Sequence, residues 1–268
     1  MIKLLQNSQK LERLARNFIC GSRIEAINRA RKLKTDGIYS TINHTIEHVD
    51  GYARAGSATM AACDLLFSIQ QWSLTEYASI SIKMSALGMD FDKEYCEGNI
   101  LQITNLSNHL GIIVQFDVEA PETHKFYYDM VHKHSLNGAI QAKSPPILLP
   151  SKPPRIVKGA YKPRFRKSKT YQREQIVDWV RKYMRWSDEK VIVGTHDQSI
   201  IDWLVLMSYE DRIELQYLRG VKEEEFRKYK EMGFKVREYI PYGDNWYSYV
   251  IRRIKEDPWG KLKMILSV

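Results

Sequence analysis

The sequence predicts an α/β protein built as a (βα)8 TIM-type barrel with an N-terminal helical arm. Three observations carry that expectation. From residue 37 onward, short apolar runs of β-branched and aromatic residues alternate with segments of helical periodicity, the pattern of parallel strands joined by helical crossovers. The alternation reaches eight strands within 268 residues, a length that single barrels commonly have. Polar residues gather at the carboxyl ends of the apolar runs, the face on which barrels assemble their sites.

Residues 3–19 place Leu11, Leu14, Ala15 and Phe18 at helical spacing. Ser22 and Glu25 form a capping-box pattern that opens a second helix, which ends in Lys32, Lys34 and Gly37. Residues 1–36 are therefore expected to form the arm and residues 37–268 the barrel domain. Gly37–Thr45 is a weak first strand, followed by an apolar helix over Gly56–Trp72. Ser79–Leu87 reads as strand two, with a helix over Asp92–Leu110. Gly111–Val118 (G-I-I-V-Q-F-D-V) is a strong third strand, Thr123–His134 a helix, and Gly138–Ala142 a short fourth strand. Lys143–Pro154 holds five of the nine prolines, which excludes a full crossover helix, so the fourth outer helix should be reduced or missing. Arg155–Gly159 is strand five, and a helix follows over Thr170–Arg185. Lys190–Thr195 is strand six, Ser199–Met207 a helix, Arg212–Gln216 strand seven and Lys222–Met232 a helix. The eighth strand begins at Val236. The chain turns at Gly243-Asp244-Asn245 and continues as a last helix that stops near Pro258.

The composition bounds the function. No apolar run reaches the roughly 18 residues of a membrane span, and the N-terminus lacks a signal-peptide pattern. A cytoplasmic protein is expected, with peripheral contact at the inner face of the membrane compatible with the basic surface. Cys20, Cys63 and Cys96 are scattered, with no C-x-x-C, so neither a disulfide framework nor a structural zinc site is indicated. The net charge of +9 fits an anionic ligand as well as it fits nucleic acid. No finger or RNP-like pattern supports nucleic acid.

The residues that call for chemistry lie at the strand ends. Lys83 interrupts an apolar strand. Asp117 and Glu119 follow I-I-V-Q-F, and Gln141 ends strand four. Arg155 and Lys158 flank Ile156 and Val157, with Gly159-Ala160-Tyr161 behind them. Thr195-His196-Asp197 closes strand six, Gln216 strand seven and Tyr239 strand eight. On the last helix Tyr249, Arg252, Arg253 and Glu256 fall on one stripe. Singly, each has a plainer explanation: a snorkelling lysine, a helix-capping aspartate, a solvated charged face. Together they predict a cationic pocket (Lys83, Arg155, Arg252, Arg253) with internal carboxylates (Asp117, Glu256) and tyrosine walls. A guanidinium fork grips a ligand carboxylate in bidentate fashion. Gly159-Ala160 would let backbone approach a phosphate or cofactor closely. The chain has no G-x-G-x-x-G fingerprint.

The motifs R-I-V-K-G-A-Y (155–161), Q-Y-L-R-G (216–220), R-E-Y-I-P-Y-G (237–243) and Y-V-I-R-R-I-K-E (249–256) resemble those of the flavin-dependent proline dehydrogenases. S-I-K-M-S-A-L, Q-F-D-V-E, I-Q-A and G-T-H-D match other strand-end motifs of that family, in the same order, over roughly residues 80–258. The resemblance implies a (βα)8 barrel that binds FAD. It implies oxidation of L-proline to Δ1-pyrroline-5-carboxylate by hydride transfer to flavin N5, the first step of proline degradation to glutamate. Carried over residue by residue, it implies that Lys83, Arg252 and Arg253 hold the proline carboxylate, and that Tyr239, Tyr249 and Leu218 pack around the ring. Glu256 would support Arg253. Asp117 and Arg155 would be the catalytic residues, with Arg155 near flavin N5. Val118, Gln141, Lys158, Gly159, Ala160, Thr195 and His196 would line the flavin. The implied partners are an electron acceptor, with a quinone expected, and functional coupling to pyrroline-5-carboxylate dehydrogenase. The first strand departs from the family pattern, reading N-H-T-I-E after its apolar stretch, and Lys162 follows Gly-Ala-Tyr where some relatives carry Trp. Two other classes compete: a metal-dependent barrel hydrolase using His44, His196, Asp117 and Glu119, and a nucleic-acid binder using the net charge.

Overall fold

The computed structural model describes residues 15–146, 148–160 and 168–244. Within them eight strands run parallel in one sheet: β1 (Tyr39–His44), β2 (Ala78–Lys83), β3 (Val114–Asp117), β4 (Ala139–Gln141), β5 (Arg155–Val157), β6 (Val191–Gly194), β7 (Ile213–Leu218) and β8 (Lys235–Tyr242). Their order is β3-β2-β1-β8-β7-β6-β5-β4. A parallel bridge between Gln115 and Asn137 joins the two ends of that order, and the Phe116 N–H donates to the Asn137 carbonyl at 2.8 Å. The sheet is thereby a nearly closed barrel, as the alternation predicts.

The described helices are α1 (Arg23–Thr35), α2 (Tyr52–Gln71), α3 (Lys93–Leu110), α4 (His124–Lys133), α5 (Lys169–Trp186), α6 (Gln198–Leu206) and α7 (Glu223–Glu231). Their ends follow from side-chain capping. Ser22 Oγ accepts from the Glu25 N–H at 3.3 Å, while the Glu25 carboxylate accepts from Gly21 N at 2.9 Å. Asp92, Ser168 and Asp197 cap α3, α5 and α6 in the same way. The α3 helix stops where Gly111 turns left-handed at φ 68°. Between β4 and β5 no helix occurs among the described residues. There the Pro150 carbonyl accepts from the buried Tyr183 hydroxyl at 2.9 Å, which fixes the proline-rich segment to α5.

Several boundaries differ from the sequence expectation. Strand two ends at Lys83, and Met84–Leu87 forms a 3-10 turn instead of continuing the strand. Lys83 therefore sits at the end of its strand, not inside it. Strand seven runs on to Leu218 and strand eight to Tyr242, so neither Gln216 nor Tyr239 is terminal. The motifs carried more polar residues than a strand end needs, because polar residues also fill the barrel interior.

The core lies between sheet and helices. Outward residues such as Ile42, Ile80, Phe116, Ile156, Val193, Leu215 and Ile240 are buried beneath the helices. Inside the barrel the side chains are largely polar. Thr41 Oγ1 bonds Ser79 Oγ at 2.8 Å, and Gln216 Nε2 donates to Thr41 at 3.1 Å. Arg237 pairs with Glu214 and donates to Ser79 Oγ at 3.0 Å. These groups are buried but satisfied by one another, which is what makes a polar interior tolerable. Behind β8, Arg29 of α1 pairs with the fully buried Glu238 at 2.5 Å and with Glu223 at 2.8 Å, tying α1 to the barrel. No helix among the described residues is long and apolar enough to cross a membrane.

Candidate active site

Strand register decides which side chains share the upper level of the barrel. Lys83 pairs with Asp117 across β2 and β3. The Gln115–Asn137 bridge places Ala139 two residues further on, level with Asp117, and Ala139 pairs with Arg155. Asp117 and Arg155, two strands apart, therefore meet inside the barrel as an ion pair. Ser81 Oγ donates to Asp117 Oδ1 at 2.5 Å, and the Tyr239 hydroxyl donates to Oδ2 at 2.8 Å. The Arg155 guanidinium also lies 5.3 Å from the Tyr239 ring centre and 3.5 Å from Gln115 Oε1.

The electrostatics follow from this packing. Burial pushes the Asp117 carboxyl up, but Arg155, Lys83 and the bonds from Ser81 and Tyr239 outweigh it and hold the group below the usual carboxylate value. Burial, reinforced by Asp117, pushes the Tyr239 phenol well up, so it stays a donor at any physiological pH. Glu119 behaves oppositely. Burial raises it, although Ser85 donates to it through Oγ at 2.6 Å and through its N–H at 3.0 Å. Its carboxylate locks the 3-10 turn after Lys83 to the segment after β3. Lys83 itself reaches Glu47 at 3.7 Å.

A second group lines the neighbouring rim. Gln141 Nε2 donates to the Glu119 carbonyl at 2.8 Å and lies 2.9 Å from His124 Nε2. Gln141 Oε1 is buried and has no partner among the described residues, and the same holds for Arg155 Nε. Gly159 turns at φ 98°, and a Cβ there would collide with the Gln141 amide. Lys158 and Ala160 are exposed beside it, and Val118 is buried. Thr195 Oγ1 accepts from Asp197 N at 3.0 Å, and His196 Nε2 accepts from Leu218 N at 3.1 Å. A buried, unpartnered amide oxygen beside a side-chain-free glycine, with a second unpartnered atom, Arg155 Nε, in the Asp117 cluster, fits a flat heterocycle with a polar edge, the chemistry of an isoalloxazine ring.

Of the residues expected from the sequence, Lys83, Asp117, Arg155 and Tyr239 are drawn into one cluster, Gln141 and Gly159 touch, and His196 and Leu218 are bonded. Tyr161, Tyr249, Arg252, Arg253 and Glu256 lie outside the described residues. Sequence reasoning missed Ser81 and His124. Ser81 is recoverable from the alternation, since it points inward two residues before Lys83. His124 carried no signal, because a polar residue opening a helix is commonplace. The hydrolase alternative needed His44 near Asp117, but His44 stacks on Tyr242 at 4.6 Å. Among the described residues no group of three His, Cys, Asp or Glu side chains is placed to hold a metal ion.

The fold and the rim define a (βα)8-barrel protein whose polar cluster occupies the face where barrel enzymes build active sites. No family model matches the chain. Along nearly its whole length it is similar to proteins named proline dehydrogenase. It is 27% identical to proline dehydrogenase 2 of Bacillus subtilis (strain 168) over a 286-residue alignment, covering 95% of this chain and 93% of that protein. It is 27% identical to proline dehydrogenase 1 of Bacillus subtilis subsp. natto, covering 91% of this chain and 87% of that protein. With the proline dehydrogenase of Deinococcus radiodurans it shares 26% identity over 93% of this chain and 88% of that protein. Among solved structures it resembles proline utilization A from Bdellovibrio bacteriovorus inactivated by N-propargylglycine, with a TM-score of 0.74 and 16% identity. A proline utilization A variant from Bradyrhizobium japonicum gives 0.73 and 17%. Each match covers 90% of this chain, which spans about a third of the length of those two chains (32% and 30%).

Proposed function

We propose that this chain oxidises L-proline to Δ1-pyrroline-5-carboxylate with bound FAD, as the first step of proline degradation. The observation that carries the reading is the Lys83–Asp117–Arg155–Tyr239 cluster beside the Gln141–Gly159 shelf, in a chain similar to proteins named proline dehydrogenase. FAD supplies the hydride acceptor; the chain's own task is orientation and electrostatics.

Lys83 takes the substrate carboxylate together with Arg252 and Arg253, and Glu256 keeps the two arginines tolerable. Tyr239, Leu218 and Tyr249 pack on the ring and exclude water. Hydride leaves a carbon next to a neutral amine, and a cationic pocket disfavours the protonated amine. Arg155 keeps an unpartnered Nε for negative charge that develops on the reduced cofactor, while Asp117 holds its guanidinium in place. Val118, Gln141, Lys158, Gly159, Ala160, Thr195 and His196 hold the cofactor. The electrons leave to a quinone at the inner face of the membrane, and the product passes to a pyrroline-5-carboxylate dehydrogenase.

The purified protein should be yellow, or turn yellow on addition of FAD, and bleach anaerobically with L-proline. A protein that binds no FAD, or whose flavin stays oxidised with proline, would overturn the reading. Arg252→Met and Arg253→Met should each raise KM for proline strongly while flavin remains bound. Unchanged proline kinetics in either variant would remove that residue from the carboxylate clamp.

A further inference from the structure

The rim holds a half-buried histidine that the reaction above does not use. His124 opens α4, with its Nε2 2.9 Å from Gln141 Nε2 and 3.3 Å from the Glu119 carbonyl oxygen. Gln141 Nε2 donates to that same carbonyl at 2.8 Å. A main-chain carbonyl only accepts, so the NH2 end of the Gln141 amide is fixed at Glu119. The second amide hydrogen then faces His124: an Nε2–H could reach the Glu119 carbonyl only over 3.3 Å and would set N–H against N–H at 2.9 Å, so the closer contact favours an Nε2 that offers its lone pair to the amide. The amide oxygen is left facing Gly159, where it has no partner among the described residues.

We propose that His124 is a positioning residue for Gln141: its unprotonated Nε2 and the Glu119 carbonyl hold both amide hydrogens, so that Gln141 presents an acceptor and not a donor to a ligand lodged beside Gly159. The proposal rests on the flavin reading for the identity of that ligand, but not for the amide geometry. A protonated imidazole would set N–H against N–H at 2.9 Å. The amide would then turn its oxygen to His124 and its NH2 toward Gly159, losing the bond to Glu119.

The surroundings favour the neutral ring. Burial lowers the His124 pKa, against smaller upward contributions from the Glu119 carbonyl and the Glu122 carboxylate. Tyr128 packs edge-on at 5.6 Å, and the Glu119 carboxylate is turned away to Ser85. From β4 the facing group is the neutral Gln141 amide.

Two measurements on the full-length protein test this. Long-range 1H–15N spectra, with the His124 signals assigned from their loss in His124→Gln, should show the Nδ1–H tautomer at pH 7.5. They should show a titration below pH 6.5 that the Gln141 side-chain amide resonances follow. An Nε2–H tautomer, or Gln141 resonances indifferent to that titration, would overturn the amide geometry whether or not flavin binds. In the second measurement, the Kd for FAD is followed by flavin fluorescence. In the native protein it should rise as pH falls from 7.5 through the His124 titration seen in the spectra, toward the roughly tenfold limit set by one lost hydrogen bond. The rise should be less than twofold in His124→Gln, which keeps an acceptor at the Nε2 position and does not titrate. Superimposable pH profiles would overturn the role of His124 toward the ligand. Failure of both proteins to take up FAD at any pH would overturn the flavin reading itself, and with it that ligand role, while the spectra still decide the amide geometry.

Discussion

Arg155 and Asp117 form a buried ion pair although they come from strands that do not touch, β5 and β3. Register through β4 brings the first residue of one strand level with the last residue of the other. Neither charge has water to fall back on, since their side chains are 5% and 13% exposed. Removing one partner of such a pair strands the other.

Asp117→Ala should therefore destabilise the protein by about 3–5 kcal/mol, the usual cost of leaving a buried charge unpaired. Urea unfolding at pH 7 measures it. A loss below about 1 kcal/mol would mean that water or another group replaces the carboxylate.

Tyr239→Phe removes the 2.8 Å bond to Asp117 and leaves the ring in place. The expected loss is about 1–2 kcal/mol of stability, with a higher KM for proline as the ring loses its anchor. Steady-state kinetics beside thermal unfolding would separate the two effects.

Asp117 and Glu119 should act on stability with opposite signs. Asp117 is held below its ordinary value, so its contribution is present above the unfolded pKa and fades as pH falls through the folded one. Glu119 is held above its ordinary value, so its contribution is present below the unfolded pKa and is lost as pH rises through the folded one. Glu119→Gln should thus gain on the native protein as pH is raised from 4 to 8. Parallel stability curves for the two proteins would contradict the environment described for Glu119.

Gly159→Ala meets both a left-handed backbone and the Gln141 amide. It should cost more than about 1 kcal/mol and lower flavin content. Adding Gln141→Ala removes the collision but not the backbone strain, so stability should return only in part. Full recovery in the double variant would locate the whole cost in the amide.

Arg29→Met leaves Glu238 without its partner at a position that no solvent reaches. A loss of about 3–5 kcal/mol is expected, with KM for proline unchanged, because Arg29 lies outside the barrel. An altered KM would show that α1 transmits to the rim.

The sequence by itself determined the (βα)8 alternation, the lack of a helix between β4 and β5 among the described residues, and the strand-end motifs that resemble those of proline dehydrogenases. Those features are local. Periodicity, proline content and short motifs are written in consecutive residues, and each reads without knowledge of its neighbours in space. Only the tertiary structure decided that Lys83 ends its strand and that Tyr239 lies within one. It also decided that Arg155 spends part of its charge on Asp117, and that Glu214 and Arg237 fill the barrel floor. His124 is the sharpest case. One polar residue at a helix start says nothing until the fold sets it 2.9 Å from the Gln141 amide. Strand register and side-chain direction fix such encounters, and they depend on hydrogen bonds between segments far apart in the chain.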